Sequence, residues 1–525
     1  MTTNDRTEQK SGWLTRFAFW LCSRRGAKAV GILLVWVITA VFLVYAFENW
    51  RGKRAWNEVK ADLEKRGQTW EFKSLLPKPV PPDQNFASSP LVTNWFDRVQ
   101  MTNSPDEKHP LSIARSKLGS PRRDRTQLAP MVLTDIIAWA RAIELGTNSV
   151  ALKDAPDVPP TPPEESTPEA RARAATVVLG ALAADEPAFA QIREALRRPY
   201  SRYPVNYDTP DPWSILLPHL AKLKMWSQRL ALKASAELAL GKTDQALQDI
   251  ETTLALQDTL KDEPFLISYL VRVAILKVAI QPVWEGLQEH RWSEEQLKTM
   301  IGRFSNYDFV PALEQPLATE RAATLKTVDL IRLHGELASA VTDTGPNVPT
   351  IARMLPSGWY YFEMANFSRI MDRLLWSGLD LKDRRVHPDI LKANQKWFES
   401  TRANPMKILL RHELAAGMFL PALSKVAARS TQAQALVDFA SLACALERYR
   451  IRQGQFPDSL QALTPACVSA LPKDWITGAP YQYRKTDAGF VLYSVGWDEK
   501  DDRGDTRFVK DDDKPGDWVW GYAFP

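Results

Sequence analysis

An acid-rich segment near the end of this 525-residue chain is the densest group of side chains that could carry chemistry. It follows a stretch in which apolar residues alternate, and its members are Asp498, Glu499, Asp501, Asp502 and Asp505. Carboxylates and backbone carbonyls are the ligands that hard cations prefer, so this segment is a candidate cation-binding loop. A solvated acidic loop explains the same residues comparably well, because basic side chains are interspersed among them.

The other residues with catalytic potential form no recognisable motif. The six histidines are scattered, and residues 412–413 lack the second histidine that a zinc-protease helix requires. Residues 241–243, Gly-Lys-Thr, fit a relaxed phosphate-binding loop, but helix formers precede them where a strand is needed. A helix-ending glycine is therefore the favoured interpretation. The aromatic residues 359–362 could line a pocket, and packing in a core or against a membrane explains them at least as well.

These residues must be positioned by elements that follow the longest uncharged stretch of the chain, residues 29–47. As a helix this stretch would measure about 28 Å, close to the thickness of the hydrocarbon core of a bilayer. A cleaved signal peptide would have a shorter apolar region followed by a small-x-small site, and a core helix would carry polar residues. The stretch therefore predicts one retained transmembrane helix. Basic residues flank it on both sides in similar numbers and do not decide its orientation.

Composition limits what the rest of the chain can be. Its length allows two or three domains, and apolar residues make up 45% of it, enough to bury real cores. The net charge of +5 is spread out, and no long basic run lies beyond the membrane flanks, so we expect no nucleic-acid partner. Three cysteines exclude a disulfide scaffold. Cys444 and Cys467 could pair outside the cytoplasm or remain as two buried thiols.

The middle of the chain is predicted to be helical almost throughout. Apolar residues keep helical spacing on both sides of residues 241–244, which predicts an antiparallel helical hairpin with a short turn. That turn resembles a tetratricopeptide turn, but a single good copy does not establish a repeat protein. Residues 265–280 are apolar on nearly every face, which is typical of a helix buried among others.

The end of the chain changes pattern. Residues 432–452 keep helical spacing, and Gly454 offers a stop. Residues 481–484 and 490–496 then alternate at period two, which predicts an antiparallel hairpin. The predicted segments are a basic cytoplasmic segment (1–28), the transmembrane helix (29–47), a membrane-proximal helix with a proline-rich linker (48–92), an α-helical domain (93–425) with a proline-rich insert (155–168), and a small α+β module (426–525).

The order of short motifs in this last module resembles the globular domain of the major pseudopilins of type II secretion. The matching motifs are Tyr449-Arg450, Gly454-Gln455-Phe456-Pro457, Pro472-Lys473-Asp474, Gly478-Ala479-Pro480-Tyr481-Gln482-Tyr483 and Tyr493-Ser494-Val495-Gly496-Trp497-Asp498. The resemblance implies a small α+β fold and a calcium-binding loop after the strand, with Asp498, Asp502 and Asp505 as candidate ligands. A pilin's signal helix begins this module, whereas here the anchor lies far upstream, so prepilin processing and polymerisation do not carry over.

The membrane-proximal residues 60–64 and 81–87 resemble those of large, uncharacterised bacterial membrane-anchored proteins. This resemblance implies a single-pass protein of the bacterial inner membrane, with its N-terminus in the cytoplasm and its large C-terminal body in the periplasm. It implies no known activity.

We therefore expect a mainly α fold with a single transmembrane helix, a helical-hairpin middle domain and a small α+β C-terminal module with an antiparallel hairpin. The expected function is structural or interaction scaffolding in the envelope. The alternative is an envelope enzyme whose active site lies between helices of the middle domain. The expected partners are the lipid bilayer and other envelope or secretion proteins, and calcium is the one cofactor suggested.

Overall fold

The computed structural model describes residues 20, 23–97, 109–118, 130–148, 157–334, 355–506 and 516–522. These residues are mainly helical, with two small antiparallel sheets, which confirms the predicted fold class at that level. Most of the predicted cytoplasmic segment 1–28 and the start of the proline-rich insert lie outside the described residues.

The helices of the described residues are labelled in chain order. They are α1 (Arg24–Lys65), α2 (Pro90–Thr93), α3 (Pro110–Lys117), α4 (Ile136–Asn148), α5 (Pro168–Leu182), α6 (Glu186–Ala195), α7 (Pro218–Ala239), α8 (Thr243–Asp258), α9 (Leu266–Gln288), α10 (Glu294–Phe304), α11 (Glu314–His334), α12 (Ser357–Met371), α13 (Pro388–Arg402), α14 (Pro405–Leu410), α15 (Leu414–Leu423) and α16 (Val426–Gln453). The strands are β1 (Leu379–Asp380), β2 (Arg385–Val386), β3 (Gln482–Thr486), β4 (Gly489–Ser494) and β5 (Trp518–Val519).

α1 combines two segments that the sequence predicted separately. The Ser23 hydroxyl accepts a hydrogen bond from the Gly26 N–H and caps the start of the helix. No proline interrupts the chain between the apolar stretch and the membrane-proximal residues, so the helix continues to Lys65. Gly67, two residues after the helix ends, has a φ of +69°, which suits a residue without a side chain. The predicted transmembrane and membrane-proximal helices are therefore one continuous helix.

Two helices of the described residues, α1 and α9, are long and apolar enough to cross a membrane. In α1, 0% of the most apolar 18-residue window is buried, whereas in α9 the buried share of the corresponding window is 61%. Burial on that scale is typical of a core helix, so α9 belongs to the folded body and α1 is the candidate span. A signal sequence meets the same criteria of length and composition.

The body contains two hydrophobic cores, and α9 contributes side chains to both. The first core lies around α9, α10, α12 and α16, and the second lies around α4, α5, α6 and α7. α9 contributes Leu276 to the first core and Ile275 to the second, and both side chains are fully buried. A helix that is apolar on most faces can serve two cores in this way.

α7 and α8 form a helical hairpin. α7 ends at Ala239, α8 begins at Thr243, and Gly241 between them has a φ of +72°. The Gly-Lys-Thr sequence thus lies in a turn between two helices, where glycine supplies a left-handed conformation.

The C-terminal strands form a three-stranded antiparallel sheet in the order β3-β4-β5. Tyr483 pairs with Leu492 in the hairpin, and Ser494 pairs with Trp518 of β5. α16 packs against α9 and α10, so the first core contains side chains from both sides of residue 425. Cys444 and Cys467 are both buried free thiols.

Candidate functional site

α1 meets the folded body just after its apolar half, where α12 begins, and we call this contact the α1–α12 junction (residues 48–52 and 356–362 with His412). The Asn49 side chain accepts a 2.6 Å hydrogen bond from the Gly358 N–H and so satisfies a free donor at the start of α12. A Cβ added to Gly52 would lie 2.1 Å from the carbonyl oxygen of Gly358. The two helices can therefore approach this closely only because both positions are glycine.

α1 and α12 then run side by side in the same direction. Arg369 of α12 lies 3.8 Å from Glu58, and Asp372 lies 2.8 Å from Arg66. Asp372 also pairs with Arg321 of α11, whose side chain is almost completely buried. Exposed ion pairs contribute little stability, but burial of Trp56, Val59 and Leu63 does contribute, and together these contacts make residues 48–65 part of the body.

His412 lies at the end of this junction that is nearest the apolar half of α1. Its ring stacks on Phe362 with centroids 5.0 Å apart, and it lies edge-on to Trp359. Its Nε2 is 3.5 Å from a carboxylate oxygen of Glu48. Burial lowers the pKa of His412, and the Glu48 carboxylate opposes that effect. The predicted aromatic cluster thus packs a histidine against α1 rather than lining a catalytic pocket.

Glu363 connects the same end of the body to α15. Its two carboxylate oxygens accept hydrogen bonds from the N–H groups of Leu414 and Ala415, at 3.1 and 2.9 Å. These are donors in the first turn of α15, which have no partner within their own helix. Glu363 therefore fixes the start of α15 beside α12.

A cleft of about 290 Å³ opens between α3, α4, α7 and α9. Thr134 at its edge is held by Glu285, whose carboxylate accepts hydrogen bonds from the Thr134 N–H at 2.9 Å and hydroxyl at 2.5 Å. Arg115 donates to the side-chain oxygen of Gln228 across the mouth. The lining residues are Leu111, Ser112, Arg115, Thr134, Trp139, Met225, Gln228, Arg229, Ala231, Leu232, Ser235, Val278 and Gln281. These groups can bind a ligand by apolar contact and hydrogen bonding, and none of them is a carboxylate, histidine or cysteine.

A buried ionic network joins α6, α7 and α8. Lys233 Nζ lies 2.6 Å from Glu237 and 2.8 Å from Asp249, and Asp249 also pairs with Arg193. Burial raises the pKa of Glu237 to about 7, with the neighbouring Asp249 carboxylate adding to the effect. Each charge has a partner of opposite sign, so the network fits a role in joining the three helices.

The structure does not bring Asp498, Asp502 and Asp505 together around a common point. The Asp498 carboxylate accepts a 3.2 Å hydrogen bond from the Lys500 N–H, and the Asp505 N–H donates to the backbone oxygen of Asp502 at 3.1 Å. Among the residues that the structure describes, no group of three acidic, histidine or cysteine side chains is placed to hold a metal ion. Calcium binding by this loop stays a prediction of the resemblance.

Asp517 organises the acidic loop instead. It is 1% exposed and accepts hydrogen bonds from the N–H groups of Gly504 at 2.6 Å and Asp502 at 3.3 Å. Burial raises the pKa of Asp517 to about 6, and repulsion by Asp502 and Asp501 adds to the shift. Asp517 directly precedes Trp518, which pairs with Ser494 in the sheet, so these hydrogen bonds attach the acidic loop to the sheet.

The sequence singled out the aromatic residues 359–362, but it did not indicate which distant residues they meet in the structure. Asn49 meets Gly358 and Glu48 meets His412 across separations of more than 300 positions, which no local spacing could indicate. Comparison of the chain with protein-family models, with curated proteins and with solved structures found no match. The resemblance of the C-terminal module to major pseudopilins therefore rests on its own residues alone.

Proposed function

We propose that this chain is a membrane-anchored scaffold of the bacterial envelope, with α1 crossing the inner membrane and the body on the periplasmic side. The observation that supports the proposal is the continuity of α1, whose first half is apolar and exposed and whose second half is packed into the body. The bacterial and periplasmic assignments come from the resemblance of the membrane-proximal residues.

A helix that is continuous across this boundary acts differently from a flexible linker. A flexible linker lets a domain drift and turn, whereas a helix fixed at both ends sets the height and the orientation of the body. A body held in this way presents its surfaces to other envelope or secretion proteins at a constant height and orientation. That property is useful to a scaffold and is not required of an enzyme with a diffusing substrate.

The alternative function is an enzyme with its active site between helices, and the cleft between α3, α4, α7 and α9 is the place where such a site could lie. Its lining offers guanidinium, amide and hydroxyl groups, of which Arg115 and Gln228 already bond to each other. Proton transfer near neutral pH needs a group with a matched pKa, such as histidine or a perturbed carboxylate. We therefore give the scaffold precedence and assign the cleft no reaction.

A flexible insertion tests the scaffold function. Seven Gly/Ser residues inserted between Phe47 and Glu48 would detach the span from the body and leave the packing of residues 48–65 intact. We expect proximity cross-linking in native membranes to lose the neighbours that it captures around the wild-type body. The same insertion between Asp487 and Ala488, in the exposed turn of the β3–β4 hairpin, is the matched control. An unchanged set of neighbours in both variants would contradict a scaffold that depends on fixed placement.

Orientation is tested separately. Alkaline phosphatase fused after Pro525 should be active, and the fusion should resist extraction from membranes at alkaline pH. Fluorescence at that position from a reporter that matures only in the cytoplasm would overturn the periplasmic assignment.

A further inference from the structure

Exposed apolar side chains of the body concentrate on one small element. The α14–α15 pair and its connection expose Met406 (62%) and Leu410 (72%) together with three further large apolar residues. We call this set the α14–α15 patch: Met406, Leu409, Leu410, Leu414 and Met418. Single exposed apolar residues are ordinary on a protein surface, but a contiguous group is typical of an interaction site.

The patch lies where α1 leaves its apolar segment. His412 connects α14 to α15, and its Nε2 is 3.5 Å from Glu48. Glu48 is the first charged residue after the apolar stretch 29–47. Glu363 holds the start of α15 against α12, whose own first residues pack on α1 at Gly52. The patch is therefore level with the end of the span.

Charge around the patch fits the surface of an anionic bilayer. Lys407 and Arg411 are exposed beside Leu410, and the stretch 406–418 that holds the patch carries these two cations and one acidic residue, Glu413. Apolar side chains that enter the acyl boundary beside basic side chains that meet phosphates are typical of interfacial helices. Trp50, 59% exposed on α1, has the amphipathic ring that favours the same depth.

We propose that the α14–α15 patch inserts its apolar side chains into the headgroup region of the membrane that α1 spans. The body then has two contacts with the bilayer, the span and the patch, and these fix its tilt as well as its height. This inference rests on the proposed function, because it requires α1 to cross the membrane. The occupant of the patch is lipid, and Lys407 and Arg411 contact anionic headgroups.

The test uses the full-length chain in nanodiscs of phosphatidylethanolamine with phosphatidylglycerol. Cys22 is replaced by serine, and single cysteines at Leu410, Val41 and Ile390 are labelled with an environment-sensitive fluorophore. Cys444 and Cys467 are buried and serve as the unlabelled background. Nitroxide lipids carrying the quencher in the headgroup or deep in the acyl chain report the depth of each site.

Ile390 is a matched exposed apolar control at the far end of the body. It lies in the first turn of α13, whose Leu391 is next to Gly378. Gly378 follows the end of α12, where Asp372 meets Arg66. Arg66 lies about 27 Å along α1 from Glu48. We expect headgroup nitroxides to quench Leu410, deep nitroxides to quench Val41, and neither to quench Ile390.

Labels at these three sites show whether the lipid contact of the patch is wrong or whether α1 does not span the membrane. Quenching at Val41 without quenching at Leu410 would overturn the lipid contact and leave the anchor in place. Absence of quenching at Val41 would overturn the span and the lipid contact together. Cross-links between copies through Leu410, with no quenching there, would show that a second copy covers the patch and would also overturn the proposal.

Charge reversal tests the headgroup contact. Lys407→Glu combined with Arg411→Glu should reduce headgroup quenching at Leu410 by about twofold or more in discs with phosphatidylglycerol. Lys396→Glu, an exposed change on α13, should leave it unchanged. Equal quenching in all three proteins would contradict the role of the two cations.

Discussion

Two glutamates in different parts of the body each accept a hydrogen bond from an N–H group at the start of another helix. Glu320 of α11 accepts a 3.2 Å hydrogen bond from the Leu266 N–H at the start of α9, as Glu363 of α12 does at the start of α15. Burial raises the pKa of each of these glutamates to about 7. No sequence pattern predicts such a cap, because the acceptor is far in sequence from the helix that it caps. For the same reason Asp517 was not predicted as the centre of the acidic loop.

The Glu320→Gln variant should change how stability depends on pH. The folded-state pKa of about 7 is above the ordinary value of 4.5, so between these values the folded protein holds a proton that the unfolded chain releases. The free energy of unfolding of the wild type therefore falls as pH rises through this interval, by about 3 kcal/mol at most from this group. Glutamine does not titrate, so melting temperatures at pH 5 and pH 8 should differ less in the variant.

Glu295→Gln is the matched control for this measurement. Glu295 lies on α10 with 83% of its side chain exposed. Its replacement should leave the pH dependence of the melting temperature as in the wild type. If Glu320→Gln and wild type lost stability equally between pH 5 and pH 8, the buried glutamate would not be the titrating group.

At the scale of elements, the sequence was informative wherever a pattern is local. The hairpin of α7 and α8, the buried α9 and the β3–β4 pair follow from spacing within one segment, and each is present. The packing of α1 on α12 depends on two glycines more than 300 positions apart, so no local pattern could reveal it. The short β5 was also missed, since two residues of a strand carry no periodicity.

Gly52→Ala should weaken the packing of α1 on α12. The new Cβ would meet backbone atoms of Gly358, which cannot rotate away as a side chain can. We expect the melting temperature of the body in detergent to fall, with a cost of about 1–3 kcal/mol. Gly302→Ala on α10 is the control, because nothing lies within 4 Å of its Cβ. It should be neutral or stabilising by up to about 1 kcal/mol. Equal effects would show that the two helices do not touch at Gly52.

Leu276→Asp tests whether α9 is a core helix. Leu276 is 0% exposed, and an unpaired carboxylate there should destabilise the body by about 3 kcal/mol or more. Ile267→Asp on the same helix is the comparison, since Ile267 is 51% exposed and should tolerate the charge. The loss of near-ultraviolet dichroism on heating gives both melting temperatures. Similar values for the two variants would place Leu276 outside the core.

At the scale of the whole molecule, one helix connects the apolar N-terminal segment with the folded body. The sequence predicted an apolar helix followed by a second helix, and both predicted segments lie within α1. It could not indicate that they are continuous, because helix propensity alone does not exclude a hinge at Gly52. Packing against α12 over residues 48–65 removes that freedom, and the first core extends from this packing to the C-terminal sheet.

The distance across the boundary between span and body tests this continuity most directly. Spin labels at Leu33 and Glu58, both exposed and on the same face of α1, are about 38 Å apart in a straight helix. Double electron–electron resonance on the full chain in nanodiscs should give one narrow distribution near that value. A broad distribution or a clearly shorter distance would show a hinge between the span and the body, and would contradict a scaffold held rigidly at the membrane.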